Sequence, residues 1–441
     1  MGAPRHHGPL LMGATRPVRH IRPLGLVATI ALVMGNMIGS GVFLLPATLA
    51  PYGWNGVAGW LVTIGGALIL ARLFARMAAT RPDAEGPVEV IGQAFGPGIG
   101  FMIGWSYWVS IWTANAAIAI AAISYLSPFF PALAQQRGLA VAAALGLLWL
   151  MTLLNLRGAR TAGQFQFWTL LLKLVPLLVV MVLVGLILVR GDAVAVAPWP
   201  AGGLDFGSVN AAGTLTLWAL LGLEAASVGS DKVANPARTI PRATMIGTLA
   251  TGCIYLVVCS GIALLLPPAI ASQSNAPFAD FVRLYWADGP ARWVAGFAAI
   301  SAIGALNGWI LLQGEIPLAM ARLGRLPRWM GQTVGPQETP VRAIVLSSLC
   351  ASLLLLANSL RTMVNIFELM ALLSTAATLW LYLACAASAV RLRLAVTTGV
   401  IGMGYALWTL WGAGLATSGA SLILMISGLP LYYWARRRSA P

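Results

Sequence analysis

Gly35-Asn36-Met37-Ile38-Gly39-Ser40-Gly41 lies inside an apolar run, Leu24 to Leu49, that is otherwise long enough to cross a bilayer. Three glycines, a serine and an asparagine in seven residues remove helix propensity from the middle of that run. A bilayer core holds no water for unpaired backbone groups, so irregular backbone survives there only where it lines a cavity or is buried in protein. The heptad therefore predicts a membrane helix broken at mid-depth, the pattern that marks a binding site in secondary transporters. A glycine-rich packing face of the small-xxx-small type explains it less well. Such a face needs neither the asparagine nor so many small residues in one turn.

Working outward, 59% hydrophobic residues, 9% charged residues and a mean hydropathy of +0.84 exclude the soluble globular class. Apolar runs of about 20 residues predict an all-α polytopic membrane protein with twelve spans, at 24–50, 56–78, 97–130, 138–155, 164–189, 207–230, 241–265, 290–320, 342–358, 362–386, 394–413 and 416–435. One transmembrane domain, 24–435, is then flanked by basic tails at 1–23 and 436–441. The first run is too long for the apolar region of a cleavable signal.

A net charge of +15 in a soluble chain would suggest nucleic acid as a partner; its distribution here points to the bilayer instead. Arg5, Arg16, Arg19, Arg22, Arg72, Arg76, Arg81, Arg157, Arg160, Lys232, Arg238, Arg242, Arg322, Arg325, Arg328, Arg342, Arg391, Arg393 and Arg436 to Arg438 fall in alternate connections. The other connections hold Arg137, Arg190, Arg283, Arg292 and Arg361. By the positive-inside rule this predicts both termini in the cytoplasm, in a cytoplasmic (inner) membrane.

Cys253, Cys259, Cys350 and Cys385 all lie in apolar spans without metal or redox spacing, and are expected to be small buried fillers. His6, His7 and His20 are confined to the N-terminal tail, so no histidine metal site or relay and no cofactor is expected. Ionisable residues inside spans are costly and point to function. Lys173 in span five and Glu224 in span six are the main candidates, while Glu315 and Glu368 lie nearer span ends. As a brace, Lys173 would donate to carbonyls freed by the broken first span.

Span six carries Thr216-Leu217-Trp218-Ala219-Leu220-Leu221-Gly222-Leu223-Glu224, a second candidate break. Spans one and six correspond if spans one to five (24–189) and six to ten (207–386) are inverted halves, with helices eleven and twelve (394–435) added.

Gly35 to Gly41 continues as Val42-Phe43-Leu44-Leu45-Pro46-Ala47. With Tyr107-Trp108 to Asn115, Leu217-Trp218 to Val228, Asn235-Pro236 and Gly308-Trp309, it resembles the amino acid–polyamine–organocation superfamily. The resemblance is greatest to the basic amino acid/polyamine antiporters, the arginine:agmatine exchangers in particular, and covers Gly35 to about Tyr433.

That resemblance implies a leucine-transporter-like 5+5 inverted repeat whose unwound segments hold the amino-acid head group. Backbone N–H groups near Ser40 and Gly41 would face its carboxylate. Carbonyls around Met37, Trp218 and Leu221 would accept from its ammonium. By the same similarity, Trp309 would stack on the side-chain cation. Asn115, Ser110 and Ser374 would line its far end, and Trp218 would close over it. Tyr107, Glu224 and Tyr382 match inner-gate positions. Val109, Ser110 and Glu315, which stands where an amide is usual, depart from the exchangers' pattern, and Lys173 matches a lysine of proton-driven relatives. The implied function is exchange of a basic amino acid such as arginine for an amine such as agmatine. The alternative is proton-coupled symport of neutral amino acids. A homodimer is implied, and protons are a candidate second substrate. An intramembrane enzyme would need a nucleophile–base pair or a metal cluster, and a channel a filter or a charged ring. The spans offer none of these.

Overall fold

A computed structural model describes residues 25–439 apart from 40, 82, 83, 85, 158, 195, 224–232, 234, 336 and 337; within its helices the side chains of 32, 36, 159–171, 236, 237 and 436–439 are not described. Ser40 and Glu224, and the N-terminal tail with its histidines, thus lie outside the described residues.

The described residues are helical, with one isolated β-bridge between Val334 and Thr339. In chain order the main helices are α1 (Leu26–Met37), α2 (Gly41–Leu49), α3 (Trp54–Thr80), α4 (Pro87–Phe95), α5 (Pro97–Leu126), α6 (Arg137–Leu156), α7 (Ala159–Arg190) and α8 (Phe206–Ala219). There follow α9 (Pro236–Leu265), α10 (Pro277–Tyr285), α11 (Asp288–Arg322), α12 (Val341–Ala357), α13 (Met363–Arg391), α14 (Val396–Gly412), α15 (Gly414–Ile426) and α16 (Leu429–Ser439). Among the described residues, eight helical segments are long and apolar enough to cross a membrane, and shorter apolar helices include α1, α2 and α12. The chain is a polytopic membrane protein.

Local chemistry sets the helix starts. Pro87, Pro97, Pro236 and Pro277 open α4, α5, α9 and α10, where the missing N–H costs nothing. Asp205 caps α8 by accepting from Ser208 N–H at 2.7 Å, and Thr362 caps α13 through Asn365 N–H at 3.3 Å.

The centre of the molecule is α5, flanked by α11 and α13. Its apolar window is 94% buried, whereas that of the last candidate span is 17% buried. This agrees with a helix that is apolar all round. α3 lies against α8 and α9, with Thr63 Oγ1 donating to Gly213 O at 2.8 Å. A Cβ on Gly59 would fall 2.9 Å from Gly213 N, so glycine is what lets α3 and α8 approach this closely.

Candidate functional site

The first predicted break is present. α1 ends at Met37 and α2 begins at Gly41, with Ile38 and Gly39 in non-helical backbone. Pro46 inside α2 removes a second helical donor, the one that would have bonded Val42 O. The carbonyls left over are met from neighbouring helices. Tyr255 Oη in α9 donates to Met37 O at 3.0 Å. The Cys259 thiol, one turn on, donates to Val42 O at 3.7 Å. Tyr125 Oη in α5 donates to Phe43 O at 2.7 Å and accepts from Phe278 N–H at 3.3 Å. Cys259 is therefore a hydrogen-bond donor as well as a buried filler, and Cys253 is exposed rather than buried. Cys259 and Cys385 are buried as expected, whereas Cys253 and the half-buried Cys350 are not, because periodicity does not say which face of a helix meets its neighbours.

The second break follows α8. Leu220 N–H bonds Leu217 O at 2.9 Å and Leu221 N–H bonds Trp218 O at 3.3 Å, a tightening that ends the helix. Gly222 then takes φ +99°, a left-handed conformation that favours glycine.

The two breaks face each other across a cavity. Met37, Gly39, Gly41, Ala114, Ile118, Trp218, Ala219, Leu221 and Trp309 line it, around roughly 330 Å³ of space free of protein atoms and partly open to solvent. Five predicted residues converge here: Met37, Gly41, Trp218, Leu221 and Trp309. The Trp218 ring lies directly on Gly41 and packs edge-on against Phe367 of α13, with centroids 5.0 Å apart. Met37 O accepts from Tyr255 Oη and Trp218 O from Leu221 N–H, and a carbonyl oxygen can accept a second hydrogen bond.

Other predicted residues sit beside or away from the cavity. Asn115 is fully buried between Ala114 and the Ile118 turn, donating to Gln313 Oε1 at 2.7 Å. Ser110 and Ser374 are tied into the α5–α13 contact: Ser110 Oγ donates to Tyr107 O at 2.7 Å and Ser374 Oγ to Ser110 O at 2.8 Å. Neither lines the cavity. Tyr107 and Tyr382 are buried about two turns along α5 and α13, outside the lining, and Tyr382 packs on Phe74 at 5.4 Å. Lys173 is 1% exposed within α7. Glu315 points out of the bundle and Glu368 is half-buried beside Phe367. Among the described residues no cluster of three or more His, Cys, Asp or Glu is placed to hold a metal.

Sequence reading missed Gln313, Tyr255, Tyr125 and Cys259. Gln313 had a signal, an amide inside span eight four residues after Trp309. The others had none beyond being polar-tipped residues in apolar runs.

Comparisons with known proteins give the family. The sequence model of the family described as amino acid permease matches residues 24–429. The chain belongs to this family. The cadaverine/lysine antiporter of Escherichia coli (strain K12) is 33% identical over 340 residues, covering 77% of this chain and 76% of that protein. The putrescine transporter PotE of Haemophilus influenzae is 30% identical over 424 residues, covering 93% of this chain and 96% of its own length. PotE of Escherichia coli (strain K12) is 29% identical over 427 residues. This permease is accordingly a transporter of amino acids or amines and not an enzyme.

Proposed function

We propose that this permease exchanges a cationic amino acid for the amine left by its decarboxylation, across a cytoplasmic (inner) membrane with both termini inside. The observation that carries this reading is Trp309, an indole in the wall of a cavity framed by two broken helices. An aromatic face attracts an ammonium or guanidinium, while N–H groups at the start of α2 suit a carboxylate. The names of the relatives put lysine with cadaverine, and putrescine, first among candidate pairs. Arginine with agmatine, implied by the sequence resemblance, is the next pair to test. The inverted repeat and the roles of Ser40 and Glu224 belong to the same proposal.

The test is counterflow in proteoliposomes. Vesicles loaded with cadaverine or agmatine should take up labelled lysine or arginine, and empty vesicles should not. Trp309→Leu should weaken the cationic substrate by about 1–2 kcal/mol, the size of a desolvated cation–π contact. A neutral amino acid should lose less. Equal losses for both would remove the case for a cationic substrate.

Lys173, buried in α7, is the residue on which to test the alternative, proton-coupled symport of neutral amino acids, which the relatives do not favour. If Lys173 carries protons, Lys173→Ala should abolish uptake driven by a pH gradient and leave counterflow intact. If it is only a brace, both should fall together.

A further inference from the structure

A directional chain of hydrogen bonds runs away from the cavity behind Trp309. Asn115 Nδ2 donates to Gln313 Oε1 at 2.7 Å. Gln313 Nε2 donates to Ser348 Oγ at 2.9 Å and to Ile344 O at 3.2 Å. Ser348 and Thr152 hydroxyls are 2.8 Å apart, and Thr152 Oγ1 donates to Leu148 O at 2.8 Å.

The polarity of this chain is fixed at both ends by backbone carbonyls. Ile344 O can only accept, so the Gln313 group facing it is the NH₂ and the group facing Asn115 is the oxygen. Leu148 O can only accept, so the Thr152 proton is committed to it and Ser348 must donate to Thr152. Ser348 is thereby left an acceptor toward Gln313, the same assignment from the other direction. The Trp108 indole N–H, bonded to Gln313 O at 3.1 Å and to Ser347 Oγ at 2.8 Å, holds the α11 backbone at this point.

With Gln313 fixed, Asn115 has no choice. Its NH₂ must face Gln313 Oε1, and its Oδ1 is left buried with no hydrogen-bond partner. Ala114 precedes Asn115 and Ile118 follows one turn later; both are in the cavity wall. Asn115 is not itself in the lining, so its unpartnered oxygen is an acceptor one layer behind that wall. An ammonium or guanidinium supplies only donors; a carboxylate supplies none.

We infer that Gln313 is a positioning residue that sets the specificity of transport, by fixing the Asn115 amide so that its oxygen is the acceptor for the cationic end of the substrate. This rests on the cationic-substrate reading above. Were Gln313 unable to accept, the Asn115 amide could turn over and present its NH₂, and the preference for a cation would fade.

The experiment compares lysine with norleucine, which shares its head group and lacks only the terminal ammonium, as kcat/KM ratios in proteoliposomes. Gln313→Met removes the acceptor and should reduce the lysine preference by about tenfold, chiefly through the KM for lysine. Gln313→Glu keeps an acceptor facing Asn115 and should retain the preference. If Gln313→Met does not reach the membrane, Asn115→Leu removes the oxygen with Gln313 in place and should erase the preference. A wild type that prefers lysine, with that preference unchanged in Gln313→Met or Asn115→Leu, overturns this inference alone. Parallel losses for both substrates in both Gln313 variants assign Gln313 a purely structural role and overturn it too. A wild type that takes norleucine as readily as lysine overturns the substrate reading and this inference with it.

Discussion

A methyl group at Gly41 would sit 2.7 Å from Cζ3 and 2.9 Å from Cε3 of Trp218, and 3.5 Å from Cα of Ala219. Carbon atoms do not approach so closely, so Gly41→Ala must push the indole off the start of α2. Trp218 has little room to retreat, because its other face meets the Phe367 ring and only 7% of the residue is exposed. The shift would fall on the cavity wall itself. We expect Gly41→Ala to insert and fold but to lose at least about tenfold in substrate affinity, the effect of roughly 1.4 kcal/mol. Binding of labelled lysine or cadaverine to the purified protein, alongside its melting temperature, measures both. Unchanged affinity would mean that the Gly41–Trp218 contact does not shape the substrate site. Ser110 and Ser374 differ from Gly41 in kind. Ser110 Oγ is committed to Tyr107 O within α5 and Ser374 Oγ to Ser110 O across the α5–α13 contact, so their replacement by alanine bears on helix packing first.

A broken helix inside a membrane must find partners for each carbonyl it frees, and here α9 and α5 supply them. Tyr255→Phe keeps the ring against Trp60, whose centroid is 5.8 Å away, and removes only the donor to Met37 O. Leaving a buried acceptor unpaired costs about 1–3 kcal/mol. The expected outcome is a lower melting temperature in detergent together with weaker binding, since Met37 lines the cavity. A variant as stable as wild type would show that Met37 O finds another partner. The break itself was legible, because Gly39, Ser40 and Gly41 in one turn cannot sustain a helix and Pro46 adds a missing donor. So was the convergence of Met37, Gly41, Trp218 and Trp309, through motif resemblance more than through periodicity. The braces were not legible. Tyr255 and Cys259 face α2 only because of how α9 rotates against it, and apolar runs carry no phase when both faces are apolar. Gln313 was overlooked for a related reason: attention went to the charge at Glu315, two residues on and turned outward, rather than to the neutral amide turned in.

Over the whole sequence, the charge of +15 is concentrated in alternate connections. The connections expected in the cytoplasm hold twenty-one basic residues against Asp83, Glu85, Glu89, Asp231 and Glu338. The other connections hold five arginines alongside Asp192, Asp205, Asp280 and Asp288. Arg283 there is held between Asp280 at 2.7 Å and Asp288 at 2.8 Å, so its charge is locally cancelled. On the basic side Arg322 pairs with Glu338 at 2.7 Å, and the stretch 322–342 holds four arginines against that one acid. It is the number of arginines and lysines in short loops that orients a membrane protein, and acids count for little. Both measures agree here, and on them we expect the connection between α11 and α12 inside and the connection between α9 and α10 outside. Two exposed positions test this, Gln273 between α9 and α10 and Arg328 between α11 and α12. In a background with Cys253, Cys350 and Cys385 replaced, and Cys259 kept because it is buried and bonded to Val42 O, each is changed to cysteine in turn. Gln273→Cys should react with a membrane-impermeant maleimide in intact cells. Arg328→Cys should react only after permeabilisation. Labelling of Arg328→Cys from outside in sealed cells would reverse the orientation, and with it the side from which the amine and the amino acid each reach the cavity.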